Sequence, residues 1–93
     1  MRNTIEIQPE KILINNKIVD KTYFVYLYKT CFKIKDIIMN YDDIYEVRKY
    51  GRHRISFVYM DWDANIYTYA ILTRDELDTD IIINKFNKNK NSV

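Results

Sequence analysis

The densest run of chemistry-bearing side chains is Arg48-Lys49-Tyr50-Gly51-Arg52-His53-Arg54. Four fixed cations, one imidazole and one phenol surround the only glycine of the chain. A tight turn there fans them into one patch. Arginine offers a planar fork that matches phosphate or carboxylate oxygens. A tyrosine can stack on a base or another ring. Arg48, Lys49, Tyr50, Arg52, His53 and Arg54 are therefore a candidate anion or nucleic-acid patch. The same run also suits a solvated hairpin tip whose charges keep a sheet edge from pairing with neighbours.

Catalytic and metal chemistry find less support. His53 is the only histidine. A nucleophilic pair with Ser56 or Cys31 needs an acid to orient the imidazole, and none is placed to do so. Asp61-x-Asp63-x-Asn65 opens like a calcium loop. Such a loop requires Gly at its sixth position and Glu at its twelfth, where this chain has Ile66 and Leu72. A turn closed by Asp and Asn side chains is the simpler reading. One cysteine and one histidine do not make a zinc set. The sequence assigns no catalytic, metal or cofactor residue, and the expectation is a protein that is not an enzyme.

A second candidate surface is aromatic. In residues 22–28, Phe24, Tyr26 and Tyr28 point one way along a strand, while Tyr23, Val25 and Leu27 point the other. Residues 66–72 repeat the pattern, with Tyr67, Tyr69 and Ile71 opposite Ile66, Ala70 and Leu72. Such strands carry more apolar surface than a 93-residue core can cover. Tyrosine, apolar in body and polar at its tip, is enriched at interfaces. Tyr23, Tyr26, Tyr28, Tyr67 and Tyr69 are thus a candidate protein interface.

The elements that position these groups read mostly as strands. Residues 11–15, 17–19, 22–28, 30–35, 37–39, 44–50, 53–60 and 66–72 are β-branched, aromatic or alternating. With one Gly and one Pro in the chain, turns must fall on Asn and Asp, at Asn15-Asn16, Asp42-Asp43 and residues 61–65. The period then changes. Thr73-Arg74-Asp75-Glu76 has capping-box spacing, and Leu72 and Leu77 stand where a hydrophobic staple belongs. This predicts a helix from Arg74 to about Phe86 that packs Leu77, Ile81 and Phe86 on Ile34, Ile55 and Phe57. The fold class is β-rich α+β: a small antiparallel barrel or sandwich of about seven strands capped by one C-terminal helix. One domain covers residues 1–93, with its core at about 10–87 and a flexible tail at 88–93.

Phe32-Lys-Ile34, then Met39-Asn-Tyr41-Asp42-Asp43-Ile44-Tyr-Glu-Val47, two further strands and the terminal helix resemble a bacterial pleckstrin-homology-like (PH-like) domain. The resemblance covers about residues 12–86. It implies a binding scaffold whose ligands include lipid headgroups, peptides and proteins, and it carries over no site residue. The alternative architecture is an OB-like barrel, in which residues 36–47 form a helix with Ile37, Tyr41, Ile44 and Tyr45 at helical spacing.

The expected function is a non-enzymatic binding module that works through protein–protein contact or self-association. A nucleic-acid-binding barrel using residues 48–54 is one alternative, and anionic-lipid binding through the same loop is another. The net charge of +2 does not by itself demand a polyanion. A single cysteine suggests a reducing, cytoplasmic home, and residues 1–10 lack the apolar core of a secretory signal. No segment has the length of a membrane span. Heavy use of Ile, Asn, Lys and Tyr points to an AT-rich genome of a bacterium, phage or virus.

Overall fold

Side-chain alternation sorts the chain into two layers. The structure is a computed structural model that describes residues 4–19 and 23–90, the last three as backbone only. Strands β1 (Ile5–Ile7), β4 (Val25–Leu27), β5 (Cys31–Ile34) and β6 (Ile37–Asn40) form one antiparallel sheet in the order β1-β4-β5-β6. Strands β2 (Lys11–Ile14), β3 (Lys17–Ile18), β7 (Ile44–Tyr50), β8 (Arg54–Met60) and β9 (Ile66–Leu72) form a second, in the order β3-β2-β9-β8-β7. A 3-10 turn, Tyr41–Asp43, leads from the first sheet into β7, and helix α1 (Glu76–Lys90) follows β9.

The architecture is therefore β-rich with one C-terminal helix, as expected, but its sheets are separate and do not close into a barrel. The described residues hold nine strands rather than about seven. Strand β1 is too short to show an alternation. Residues 36–47 form β6, the 3-10 turn and the start of β7, which removes the helix that the OB-like alternative required. The strand expected at 22–28 is regular only over Val25–Leu27, and Thr22 lies outside the described residues.

The buried faces of the two sheets meet through aromatic rings. Phe32 of the first sheet packs against Phe57 of the second with centroids 5.6 Å apart, edge to face. Phe86 of α1 touches both, at 4.8 Å and 5.3 Å. Tyr41 lies 5.4 Å from Phe32, and Tyr69 stacks on its cross-strand partner Phe57 at 5.1 Å. Ile7, Ile12, Val25, Leu27, Ile34, Met39, Ile44, Ile55, Ile71 and Ile82 complete the core. The three-residue spacing of Tyr41, Ile44 and Val47 has a structural cause. Tyr41 is buried in the 3-10 turn, Ile44 is buried at the start of β7, and Val47 packs partly against the core.

Backbone conformation explains the turns. Asn15 and Asn16 both have positive φ, 52° and 67°, the mark of a two-residue type I′ hairpin. Gly51 has φ 62°. Asp42-Asp43 does not supply such a turn and belongs to the 3-10 segment. The turn at 61–65 is closed as expected by Asp61, whose carboxylate accepts from the Asp63 and Asn65 backbone N–H groups at 3.0 and 2.9 Å. Those bonds hold its carboxyl below the usual carboxylate range.

Glu46, with φ 53°, sits in a β-bulge between Tyr45 and Arg48. The extra residue flips the phase of β7. Ile44 and Val47 can then both face the core, although they stand three positions apart. Beyond the bulge, Arg48 and Tyr50 face outward and Lys49 faces the helix side.

The helix starts later and ends later than its sequence suggests. Asp75, not Thr73, is the N-cap: its Oδ1 accepts from the Asp78 N–H at 3.0 Å. The shift turns Leu77 into solvent, 68% exposed, so no staple forms. Thr79, Ile82 and Phe86 become the fully buried stripe, with Ile81 and Ile83 at its flanks. The helix continues past Phe86 to Lys90, into the segment expected as a tail, and residues 91–93 lie outside the described chain.

Replacing Ile82 by Asp should unfold the domain, because it buries an unpaired charge. Phe86→Ala should cost about 3–5 kcal/mol in a urea titration, whereas Leu77→Asp should leave the midpoint unchanged. Alkali should also unfold the chain. Burial first, then the neighbouring Tyr59 and Tyr67, push the Tyr69 hydroxyl from 10.0 up to about 12. The unfolded chain loses this proton first as pH rises. The stability tied to the protonated phenol is thus complete below pH 10 and lost on the way to 12. Circular dichroism should show the alkaline midpoint of Tyr69→Phe at higher pH.

Candidate functional site

The basic run does not act as one patch. Strand alternation and the bulge divide it. Lys49 points to the helix and pairs with Asp80 at 2.8 Å and Glu76 at 3.3 Å. Its ammonium is held above the ordinary lysine value, chiefly by the hydrogen bond to Asp80. Arg52 and His53 occupy the turn, and their backbone carbonyls are structural. The buried Thr79 hydroxyl donates to the Arg52 carbonyl at 2.7 Å, and the Thr73 N–H donates to the His53 carbonyl at 2.7 Å. The Thr73 and Thr79 hydroxyls also hydrogen-bond to each other, and the Asp75 carbonyl is an acceptor within reach of the Thr73 hydroxyl at 3.1 Å. Helix and turn are thus latched through two buried threonines. Sequence reading gave Thr79 no role, because its partner is a carbonyl 27 residues away.

The remaining members face outward on the five-stranded sheet. Cross-strand register there runs Tyr50–Arg54–Leu72–Lys11 in one row and Arg48–Ser56–Ala70–Leu13 in the next. Small side chains in the middle of a sheet face, ringed by long ones, leave a depression. Leu13, Asn16, Tyr50, Arg54, Ser56, Thr68 and Ala70 line one of about 390 Å³. A second, of about 240 Å³, shares Tyr50, Ser56 and Thr68 and extends past Arg48 to Glu46. Ser56 is therefore a groove residue, and Cys31 lies in the other sheet, half-buried.

The five candidate interface tyrosines also part company. Tyr69 is 1% exposed and belongs to the core, so it is not available to a partner. Tyr67 is half-buried on the same side of β9, its hydroxyl 3.5 Å from the Asp61 carboxylate. Tyr23 packs partly against the core, with the Lys35 ammonium 5.8 Å from its ring centroid. Tyr26 and Tyr28 stand together on the outer face of the four-stranded sheet, with centroids 6.5 Å apart. Phe24 extends the row, 6.1 Å from Tyr26.

Three residues that sequence reading passed over complete this face. The register sets Glu6, Tyr26, Lys33 and Ile38 in one line across four strands. The Lys33 ammonium lies over the Tyr26 ring, 5.0 Å from its centroid. Ile38 is 63% exposed and Phe24 39%. The hairpin pairing of β5 with β6 was the available signal, since it sets Ile38 opposite Lys33 and therefore on the outside.

Among the described residues, no group of three His, Cys, Asp or Glu side chains is gathered as a metal site, and no helix is long and apolar enough to cross a membrane.

The threonine latch should be visible in stability. Thr79→Val keeps the shape but strands the Arg52 carbonyl, while the Thr73 hydroxyl keeps the Asp75 carbonyl as its acceptor. The expected cost is about 1–3 kcal/mol by urea titration. Lys49→Ala should cost far less, because its ion pairs are solvent-exposed.

No family model, curated protein or solved structure matches this chain, so the meaning of its surfaces rests on their own geometry.

Proposed function

We propose that this chain is a non-enzymatic binding module that docks another protein on the outer face of its four-stranded sheet. The observation that carries the reading is the row Phe24-Tyr26-Tyr28, with Lys33 lying over Tyr26 and Ile38 beside it. The opposite face of the same strands is already buried. A face that only had to be soluble has no use for three adjacent aromatic rings and an exposed isoleucine. Rings held by stacking and by a cation lose little freedom on binding, and tyrosine is a frequent hot-spot residue. Two antiparallel sheets and a terminal helix support a PH-like scaffold for this module. The unpaired Cys31 supports a reducing, cytoplasmic setting.

The test compares the wild-type chain with a Tyr26→Ala, Ile38→Asp variant. Both are used for affinity capture with quantitative mass spectrometry and for sedimentation velocity. Loss of specific captured proteins in the variant supports a foreign partner. A wild-type dimer at micromolar concentration that the variant lacks supports self-association. An unchanged set of captured proteins together with a monomeric wild type overturns the reading.

A further inference from the structure

We infer that the outer face of the five-stranded sheet is a second site, and that it takes a nucleotide unit: phosphate at Arg48 and Arg54, base against Tyr50. It lies on the other sheet from the proposed protein-docking face and does not depend on it.

Four observations converge. The first is charge sorting. The bulge at Glu46 sends Arg48 and Tyr50 outward and leaves Lys49 to the helix. Glu76 and Asp80 of the helix are spent on Lys49 on that other side. Arg48 and Arg54 have no ion-pair partner among the described residues, and Lys11 ends the Arg54 row with a third cation. Glu46 is the one acid among the residues lining the two depressions, at the margin of the smaller.

The second is donor geometry. Arg48 is the direct cross-strand partner of Ser56, and Arg54 is two residues along the same strand face. Two guanidinium forks therefore flank one hydroxyl, and Thr68 lines the groove close by. That set suits the several acceptor oxygens of a phosphate ester.

The third is the flat apolar element. Tyr50 is half exposed, and the groove beside it is floored by Ala70 and Leu13. Inorganic phosphate has no use for such a wall and floor, whereas a base stacks on the ring. The larger depression, about 390 Å³, is in the size range of small-ligand sites. The fourth is rigidity. The turn joining Tyr50 to Arg54 is fixed by the Thr79 and Thr73 bonds to its carbonyls, so the backbone that carries the ring and the guanidinium is set before a ligand arrives.

The nucleotide unit can come from a free mononucleotide or from a single strand. The test uses both sources, a short labelled oligothymidylate read by fluorescence anisotropy and adenosine monophosphate read by calorimetry, with inorganic phosphate as competitor. Arg48, Tyr50, Arg52 and Arg54 are all exposed, so their variants should keep the wild-type melting temperature. Tyr50→Ala should weaken binding roughly tenfold. The Arg48→Ala, Arg54→Ala double variant should reduce the salt slope for the oligonucleotide by about 0.7, the value for one phosphate contact on a single strand. Arg52→Ala, at the turn and outside the groove lining, should bind within about twofold of wild type. An oligonucleotide bound far better than the mononucleotide assigns the site to a strand, and the converse assigns it to the free nucleotide. The inference is overturned if neither probe binds at low salt, if phosphate alone competes as well as the nucleotide, or if Arg52→Ala loses as much as the groove variants. The Tyr26→Ala, Ile38→Asp variant should bind nucleotide normally, which keeps this test separate from that of the docking face.

Discussion

The meeting of Phe32, Phe57 and Phe86 is the contact on which the fold depends. Each ring comes from a different layer: the four-stranded sheet, the five-stranded sheet and the helix. A 93-residue chain buries a modest fraction of its surface, and aromatic rings supply the most buried area per residue. The edge-to-face arrangement of Phe57 against both other rings directs ring edges at ring faces, which adds a preferred geometry to the burial. Tyr41 closes the cluster from the connection between the sheets and donates its hydroxyl to the Tyr28 carbonyl at 2.8 Å. Burial, and to a lesser degree the nearby Cys31, holds that phenol in its neutral form. The two sheets need not close into a barrel, because this cluster joins them through side chains.

Given that core, a single inserted residue shapes the outside. Without the bulge at Glu46, strict alternation from Ile44 would turn Glu46, Arg48 and Tyr50 toward the core and Lys49 outward. With it, Ile44, Val47 and Lys49 take the core and helix side of β7, and Arg48 and Tyr50 take the outer face. The left-handed backbone at Glu46 is unfavourable for a residue with a Cβ. Burial of Val47 and the Lys49 pairs with Glu76 and Asp80 are the gains that accompany it. The same helix returns through Thr79 to hold the turn that follows β7. Core, helix and basic hairpin therefore form one mechanical unit.

Much of this was legible in the sequence where a rule is local. Alternation in Phe32-Lys33-Ile34 and Ile55-Ser56-Phe57 gives the strands and their inner faces. Asn15-Asn16 gives a hairpin, and Asp61 to Asn65 gives a closed turn. The bulge was half legible: Ile44 and Val47 cannot both face inward on a regular strand, so an anchor at each demands an extra residue. The helix register was not legible. Thr73 and Asp75 both satisfy a capping rule, and the choice between them depends on where Thr73 is wanted. Its burial against Thr79 and the His53 carbonyl leaves Asp75 as the cap, and Leu77 is turned out in consequence. The basic run could not be resolved either, because the acids that take Lys49 lie 27 and 31 residues away. Among the tyrosines, alternation placed Tyr69 on a face correctly. Only its stacking on Phe57 shows that this face is the core.

The surplus of apolar strand surface can now be located. On the five-stranded sheet the central outward positions are small or hydroxylated, Ser56, Thr68 and Ala70, and the larger neighbours include arginines and Tyr50. On the four-stranded sheet they are Phe24, Tyr26, Tyr28 and Ile38. The two outer faces thus differ in kind. One is concave, cationic and lined with hydroxyls; the other is aromatic, with Lys33 and Glu6 at the Tyr26 row. If solubility alone had shaped these faces, both would carry the mixed charges of an ordinary surface. Exposed apolar residues occur on both sheets, Phe24, Ile37 and Ile38 with one and Ile18, Tyr45, Met60 and Ile66 on the other, so the two faces differ in what surrounds the apolar groups: stacked rings on the four-stranded sheet, hydroxyls and guanidinium groups on the five-stranded one.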